Sequence, residues 1–117
     1  MKNLIKLSLI LALVLPGFGN LQAQNETSII EEFKVYGNCG MCEARIEKAV
    51  KSLDGVASAE WDKKTKLIEV KYNPDKVELM DVHKAIAKVG HDTEKMEVEN
   101  EVYEQLPACC QYERKTN

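Results

Sequence analysis

The stretch Phe33-Lys34-Val35-Tyr36-Gly37-Asn38-Cys39-Gly40-Met41-Cys42 changes its period in mid-course. Up to Tyr36 apolar Phe33 and Val35 alternate with Glu32, Lys34 and Tyr36, the period of a half-buried strand, and Gly37 ends it. From Cys42 onward Ile46, Ala49, Val50 and Leu53 recur at helical spacing, until Asp54-Gly55 stops the helix. Cys39 and Cys42 therefore fall where a strand hands over to a helix. Backbone N–H groups and the helix dipole favour a thiolate at that position. Two thiolates on one turn make a soft anionic clamp suited to Cu(I), Zn(II) or Hg(II). The same pair in an oxidising compartment also reads as a redox disulfide.

Further along the chain, residues 56–61 and 66–72 are strand-like runs around the turn Asp62-Lys63-Lys64-Thr65. Their alternation turns Ala59, Trp61, Ile68, Val70 and Tyr72 inward. Leu79, Val82, Ile86 and Val89 mark a second helix that Gly90 ends, and residues 93–99 alternate again around Met96 and Val98. The order β-α-β-β-α-β predicts an α+β, ferredoxin-like sandwich with a four-stranded antiparallel sheet. Right-handed crossovers put both helices on one face. That topology brings the loop of Cys39 and Cys42 to the same end as the loop after Gly90, so His91 is expected near the cysteine pair. Residues 100–117 form a Cys-containing C-terminal extension beyond this unit, carrying Cys109 and Cys110. At roughly 3.3 Å per extended residue, its nine residues from Asn100 to Ala108 are long enough to return to the cysteine loop.

The other end of the chain has a different character. Lys2 and Lys6 precede an apolar run over residues 7–15, which Pro16-Gly17 breaks, and Leu21-Gln22-Ala23 offers a small-residue cleavage site. Residues 1–23 are read as a secretory signal peptide and residues 24–29 as a polar lead. The apolar run is too short for a membrane span, so an exported, periplasmic protein that is not membrane-embedded is expected. Without Lys2 and Lys6 the remaining basic residues number 14 against 19 acidic ones, a net charge near −5. Such acidity argues against nucleic acid as a partner and suits a protein that attracts cations. All four cysteines lie in this exported part. An even count there allows three disulfide pairings, although neighbours such as Cys109 and Cys110 close only a strained ring.

Six segments are shared with a known family: Phe33 to Gly37, Cys39 to Cys42, Arg45 to Val50, Leu53 to Val56, Val70 to Pro74 and Ile86 to Gly90. On these residues the chain resembles the heavy-metal-associated domain family of copper chaperones, P-type ATPase metal-binding domains and periplasmic mercury-binding proteins. The resemblance covers residues 30–99. It implies a Cu(I) chaperone or sequestration protein whose partner is a metal exporter or another copper protein. The chain departs from the family pattern in three places. Gly37-Asn38-Cys39 is one residue shorter than the family loop and lacks its methionine, since Met41 lies between the cysteines. His91 replaces a commonly aromatic residue, and some bacterial copper chaperones use such a histidine as an extra ligand. The tail Leu106 to Tyr112 resembles extensions of exported bacterial relatives.

Cys39 and Cys42 are thus the primary metal ligands expected, with His91, Cys109 and Cys110 as candidate supplements. A shell of Cys39, Cys42, His91 and one tail cysteine would favour Zn(II) or tight storage over transfer. Cu(I) suits two thiolates that leave room for ligand exchange. A thioredoxin-like redox protein would show another order of elements and a proline beside its reactive pair. A monomer is expected, with a metal-bridged dimer as its variant. His83, beside the apolar stripe of the second helix, reads as a surface residue, and Tyr36, Tyr103 and Tyr112 read as packing residues. Lys48, Lys51, Lys84 and Lys88 read as solvated helix faces. No acid–base pair, nucleophile triad or phosphate loop is visible, so no enzymatic activity is expected.

Overall fold

The computed structural model describes residues 27–115. The expected signal peptide, 1–23, and the start of the polar lead lie outside the described residues. The elements run β1 (Ile29–Lys34), α1 (Gly40–Lys51), β2 (Val56–Trp61), β3 (Leu67–Tyr72), α2 (Leu79–Lys88) and α3 (Asn100–Glu104), followed by a 3-10 turn at Ala108–Cys110. The sheet has the order β1-β3-β2, antiparallel throughout. Phe33 pairs with Ile68 and Ile68 with Trp61, while Val70 lies opposite Ala59. Alternation thus sends Phe33, Ala59, Trp61, Ile68, Val70 and Tyr72 to one buried face, as the sequence pattern implies.

Both helices lay their apolar stripes on that face. Ile46 and Val50 of α1 and Val82 and Ile86 of α2 are fully buried and join one core with the sheet residues. Each such side chain contributes about 1.5–3 kcal/mol by leaving water. Glu43 in the first turn of α1 and Lys48 and Lys51 in its last turn complement its dipole. At the start of α2 a capping box operates, with the Glu78 N–H donating to Asp81 Oδ2 at 3.1 Å.

The expected fourth strand is not formed: the sheet of the described residues has three strands. Residues 93–99 do lie beside β1, but only one bridge, Val35 to Thr93, joins them. The Tyr36 N–H donates to the Asp92 carbonyl at 2.9 Å, and the Glu94 N–H to the Lys34 carbonyl at 3.1 Å. The Lys34 N–H then goes to the Glu94 carboxylate at 2.8 Å instead of to backbone. The chain at once turns back, with the Thr93 N–H bonded to the Met96 carbonyl at 2.8 Å. The Asp92 carboxylate takes the Val98 N–H at 2.8 Å. Side-chain acceptors have displaced the backbone ladder, a competition that Asp and its neighbours set up locally.

Beyond this turn, α3 and the tail fold back against the loop after α2. Leu106 packs on Gly90, whose φ of +109° is open to glycine, and a Cβ there would meet Leu106 Cδ2 at 2.8 Å. The Tyr112 hydroxyl donates to the Gly90 carbonyl at 2.9 Å and accepts the Asp92 N–H at 2.8 Å. Arg114 closes the arrangement with two 2.9 Å bonds to the Asp92 carboxylate and one of 2.7 Å to the Val98 carbonyl.

Candidate metal centre

Cys39 is the N-cap of α1, in extended conformation with no side-chain capping bond, and Cys42 lies one turn on. Their sulfurs are 3.7 Å apart. Gly37 lets the approaching loop lie flat on the core: a Cβ there would meet the Trp61 ring at 3.0 Å. The Cys42 N–H outweighs the small burial of Cys39 and, with the Met41 N–H and the nearby sulfurs, lowers its thiol to about 7. Cys42 is pushed the other way: burial dominates the Asn38 N–H that reaches its sulfur at 3.3 Å, and the thiol rises to about 11. One accessible sulfur thus ionises near neutrality beside one that stays protonated until something replaces its proton.

The tail does return. The 3-10 turn sets Cys110 Sγ 3.7 Å from Cys39 Sγ, and the three sulfurs of Cys39, Cys42 and Cys110 lie within 4.8 Å of one another. The guanidinium of Arg45 donates from Nη1 to Cys110 Sγ at 3.2 Å. All four cysteines are free thiols.

The remaining sequence candidates are placed differently. Cys109 is exposed and points its sulfur to Met41 Sδ at 3.6 Å, while its carbonyl accepts from Cys39 Sγ at 3.6 Å. His91 does come to the cysteine end, as the topology requires, but stays outside the three-sulfur cluster. Its ring is fully buried, with Nδ1 2.8 Å from the Tyr36 carbonyl and Tyr112 stacked at 5.3 Å. Burial lowers its pKa, and Nε2 has no hydrogen-bond partner.

His83 corrects an expectation: it is fully buried, not on the surface. Phe33 stacks on its ring at 3.9 Å and Thr93 Oγ1 lies 2.6 Å from Nδ1, because the turn after β1's bridge covers that side of α2. Sequence reasoning gave Arg45 no role, although it stands three residues after Cys42 and therefore on the same helix face. It also missed Lys66, whose Nζ donates to the Gly37 carbonyl at 2.7 Å and braces the cysteine loop.

A β-α-β-β-α sandwich with cysteine sulfurs gathered at the mouth of its first helix belongs to the class of small thiol-bearing metal-handling domains. The heavy-metal-associated domain family model matches residues 33–92, just over half of the chain, and the protein belongs to that family. The copper chaperone CopZ of Staphylococcus aureus (strain MRSA252) is 34% identical over 55 residues, covering 47% of this chain and 81% of that protein. A copper-exporting P-type ATPase of Bacillus subtilis (strain 168) is 34% identical over 61 residues, 51% of this chain but only 8% of the ATPase. Among solved structures, a CopZ metallochaperone superposes with a TM-score of 0.54 at 32% identity, over 56% of this chain and 98% of its own. The Cu(I)-loaded N-terminal domain of a potential copper-translocating P-type ATPase from B. subtilis gives 0.55 at 31%, over 57% and 85%. These likenesses support the ferredoxin-like α+β fold. The tail that carries Cys109 and Cys110 lies beyond the residues matched by the family.

Proposed function

We propose that the protein is an exported carrier or sequestrant of a soft metal ion, with Cu(I) as cargo and Cys39 and Cys42 as its primary ligands. The observation that carries this reading is the pair of sulfurs 3.7 Å apart at the start of α1, one of them with its thiol lowered to about 7. A thiol that ionises near neutral pH captures the ion, and the buried Cys42 then releases its proton to solvent as the ion takes the proton's place on sulfur. Cu(I) accepts two or three thiolates in an open geometry, whereas a closed protein site for Zn(II) takes four donors. Among the described residues the cluster offers three sulfurs, with His91 outside it. The relatives named for copper point the same way, and suggest a copper-exporting ATPase or another copper protein as the partner.

Anaerobic titration with Cu(I) tests the reading. Wild type is expected to bind one equivalent, and Cys39→Ser/Cys42→Ser none; equal binding by both would overturn it. Export rests on residues 1–23 and is checked by N-terminal sequencing of the secreted protein, which should begin at Gln24. A second reading, thiol–disulfide exchange, draws on the closeness of Cys39 to both Cys42 and Cys110 at 3.7 Å. Thiol exchange by wild type without Cu(I) uptake would favour it.

A further inference from the structure

We propose that Cys110 is a third thiolate ligand, delivered to the α1 cysteines by the tail, and that Arg45 is its built-in counter-charge. The cargo would then be held as a three-sulfur Cu(I) site and not by the Cys39–Cys42 pair alone. This rests on the metal-binding reading above and specifies its ligand set.

Geometry carries the argument. An ion about 2.3 Å from three sulfurs at the corners of a triangle spaces those corners about 4.0 Å apart. The observed edges Cys39–Cys42 and Cys39–Cys110 are both 3.7 Å, and the third is under 4.8 Å. The triangle is already near the size the ion needs, so little reorganisation opposes binding. Cys110 is fully buried, as Cys42 is, and faces both partners from a different part of the chain.

The turn bearing Cys110 is fixed by its own N–H, bonded to the Pro107 carbonyl at 2.8 Å. Two residues on, Tyr112 is buried and bonded to Gly90 and Asp92, and Arg114 ties the strap to Asp92. Electrostatics agrees with geometry. Three thiolates around one Cu(I) leave two negative charges, which a buried site does not tolerate uncompensated. The Arg45 guanidinium at 3.2 Å from Cys110 Sγ supplies one positive charge, and the N-terminus of α1 a fractional one. The neighbouring Cys109 cannot serve as that third ligand without leaving Met41, to which its sulfur is turned.

The test is X-ray absorption at the copper edge on the reduced, full-length exported protein loaded with one equivalent of Cu(I), paired with competition against a colorimetric Cu(I) chelator. Wild type and Cys109→Ser should show three sulfur neighbours. Cys110→Ser should show two, at shorter distance, with Cu(I) affinity reduced at least about tenfold. Arg45→Ala should lower affinity by about tenfold, the scale set by groups that orient ligands, and Arg45→Lys should restore most of it. Two sulfurs in wild type, or an unchanged count in Cys110→Ser, would overturn the third ligand. An unchanged affinity in Arg45→Ala would overturn the counter-charge. A count of two in wild type overturns the third ligand even where a variant fails to fold. Loss of all Cu(I) binding by wild type is a separate outcome, which defeats the metal reading itself.

Discussion

At the scale of single residues, the two α1 cysteines have been made chemically unequal by their backbone positions. Cys39, at the helix cap, collects N–H groups from Cys42 and Met41, while Cys42 is sunk in the core. Alkylation of the metal-free protein should therefore separate them. The rate at Cys39 should rise through an inflection near pH 7, because its thiolate, not its thiol, is the nucleophile. Cys42 should stay unmodified across that range, since burial pushes its thiol up to about 11. Peptide mapping after a short pulse at pH 6, 7 and 8 checks this, and equal labelling of both would contradict it. The cysteine pair was legible in the sequence because its signal is local: a period change and a helix start within ten residues. Arg45 and His83 were not. Arg45 looks like any helix-surface cation until Cys110 arrives from the far end of the chain. His83 looks peripheral until Phe33 and Thr93 close over it, and no count along α2 contains them.

Among the elements, the segment after α2 departs furthest from its sequence pattern. Alternation over residues 93–99 predicts a strand, yet one bridge forms and the chain turns. The reason lies in two carboxylates: Glu94 takes the Lys34 N–H and Asp92 takes the Val98 N–H. Period counting sees polar residues there but not which backbone groups they capture. The return of the tail was legible only as a length that permits it, because its fasteners are long-range. Burial works against ionisation of Asp92, but the Arg114 guanidinium and the Val98 N–H overcome it and hold its carboxyl below the usual range. Arg114→Ala leaves that buried carboxylate with two N–H donors fewer. The expected loss is about 2 kcal/mol, below the ~3–5 of a fully buried pair because Arg114 keeps part of its surface in water. Urea unfolding measures it, and a change within error would show that the strap is held elsewhere. Gly90→Ala acts on the same fastening from the other side. Its φ of +109° and the Leu106 contact at 2.8 Å predict a loss of about 1–3 kcal/mol, with Tyr112 more exposed to solvent by fluorescence.

For the whole molecule, the order of the first five elements and the inward faces of the three strands followed from the sequence because apolar periodicity and a single core determine both, whereas the fourth strand did not form. The candidate metal centre followed only in part, since it joins a family-like loop to a tail with its own interactions. The same joining makes the molecule sensitive to acid. Two fully buried histidines flank the seam between sheet, α2 and tail, and burial lowers the pKa of both His83 and His91. Near pH 6.5 and below, an unfolded histidine takes up a proton more readily than either of these does folded. Their contribution to stability is therefore complete above pH 6.5 and is lost as the pH falls through their lowered folded values. Asp92 adds a second loss at lower pH, around and below its ordinary 3.8, where its native carboxylate is protonated. Urea midpoints of the metal-free protein should thus decline as the pH falls below 6.5 and fall further below pH 4, while above neutrality the Cys39 thiolate adds stability as the pH rises from 7 towards 9. His83→Phe removes one of the two titrations while keeping an aromatic ring against Phe33. It should make the decline below pH 6.5 shallower and leave the further loss below pH 4 in place. If the variant and wild type lose stability in parallel as the pH falls below 6.5, His83 does not set the acid response of the fold.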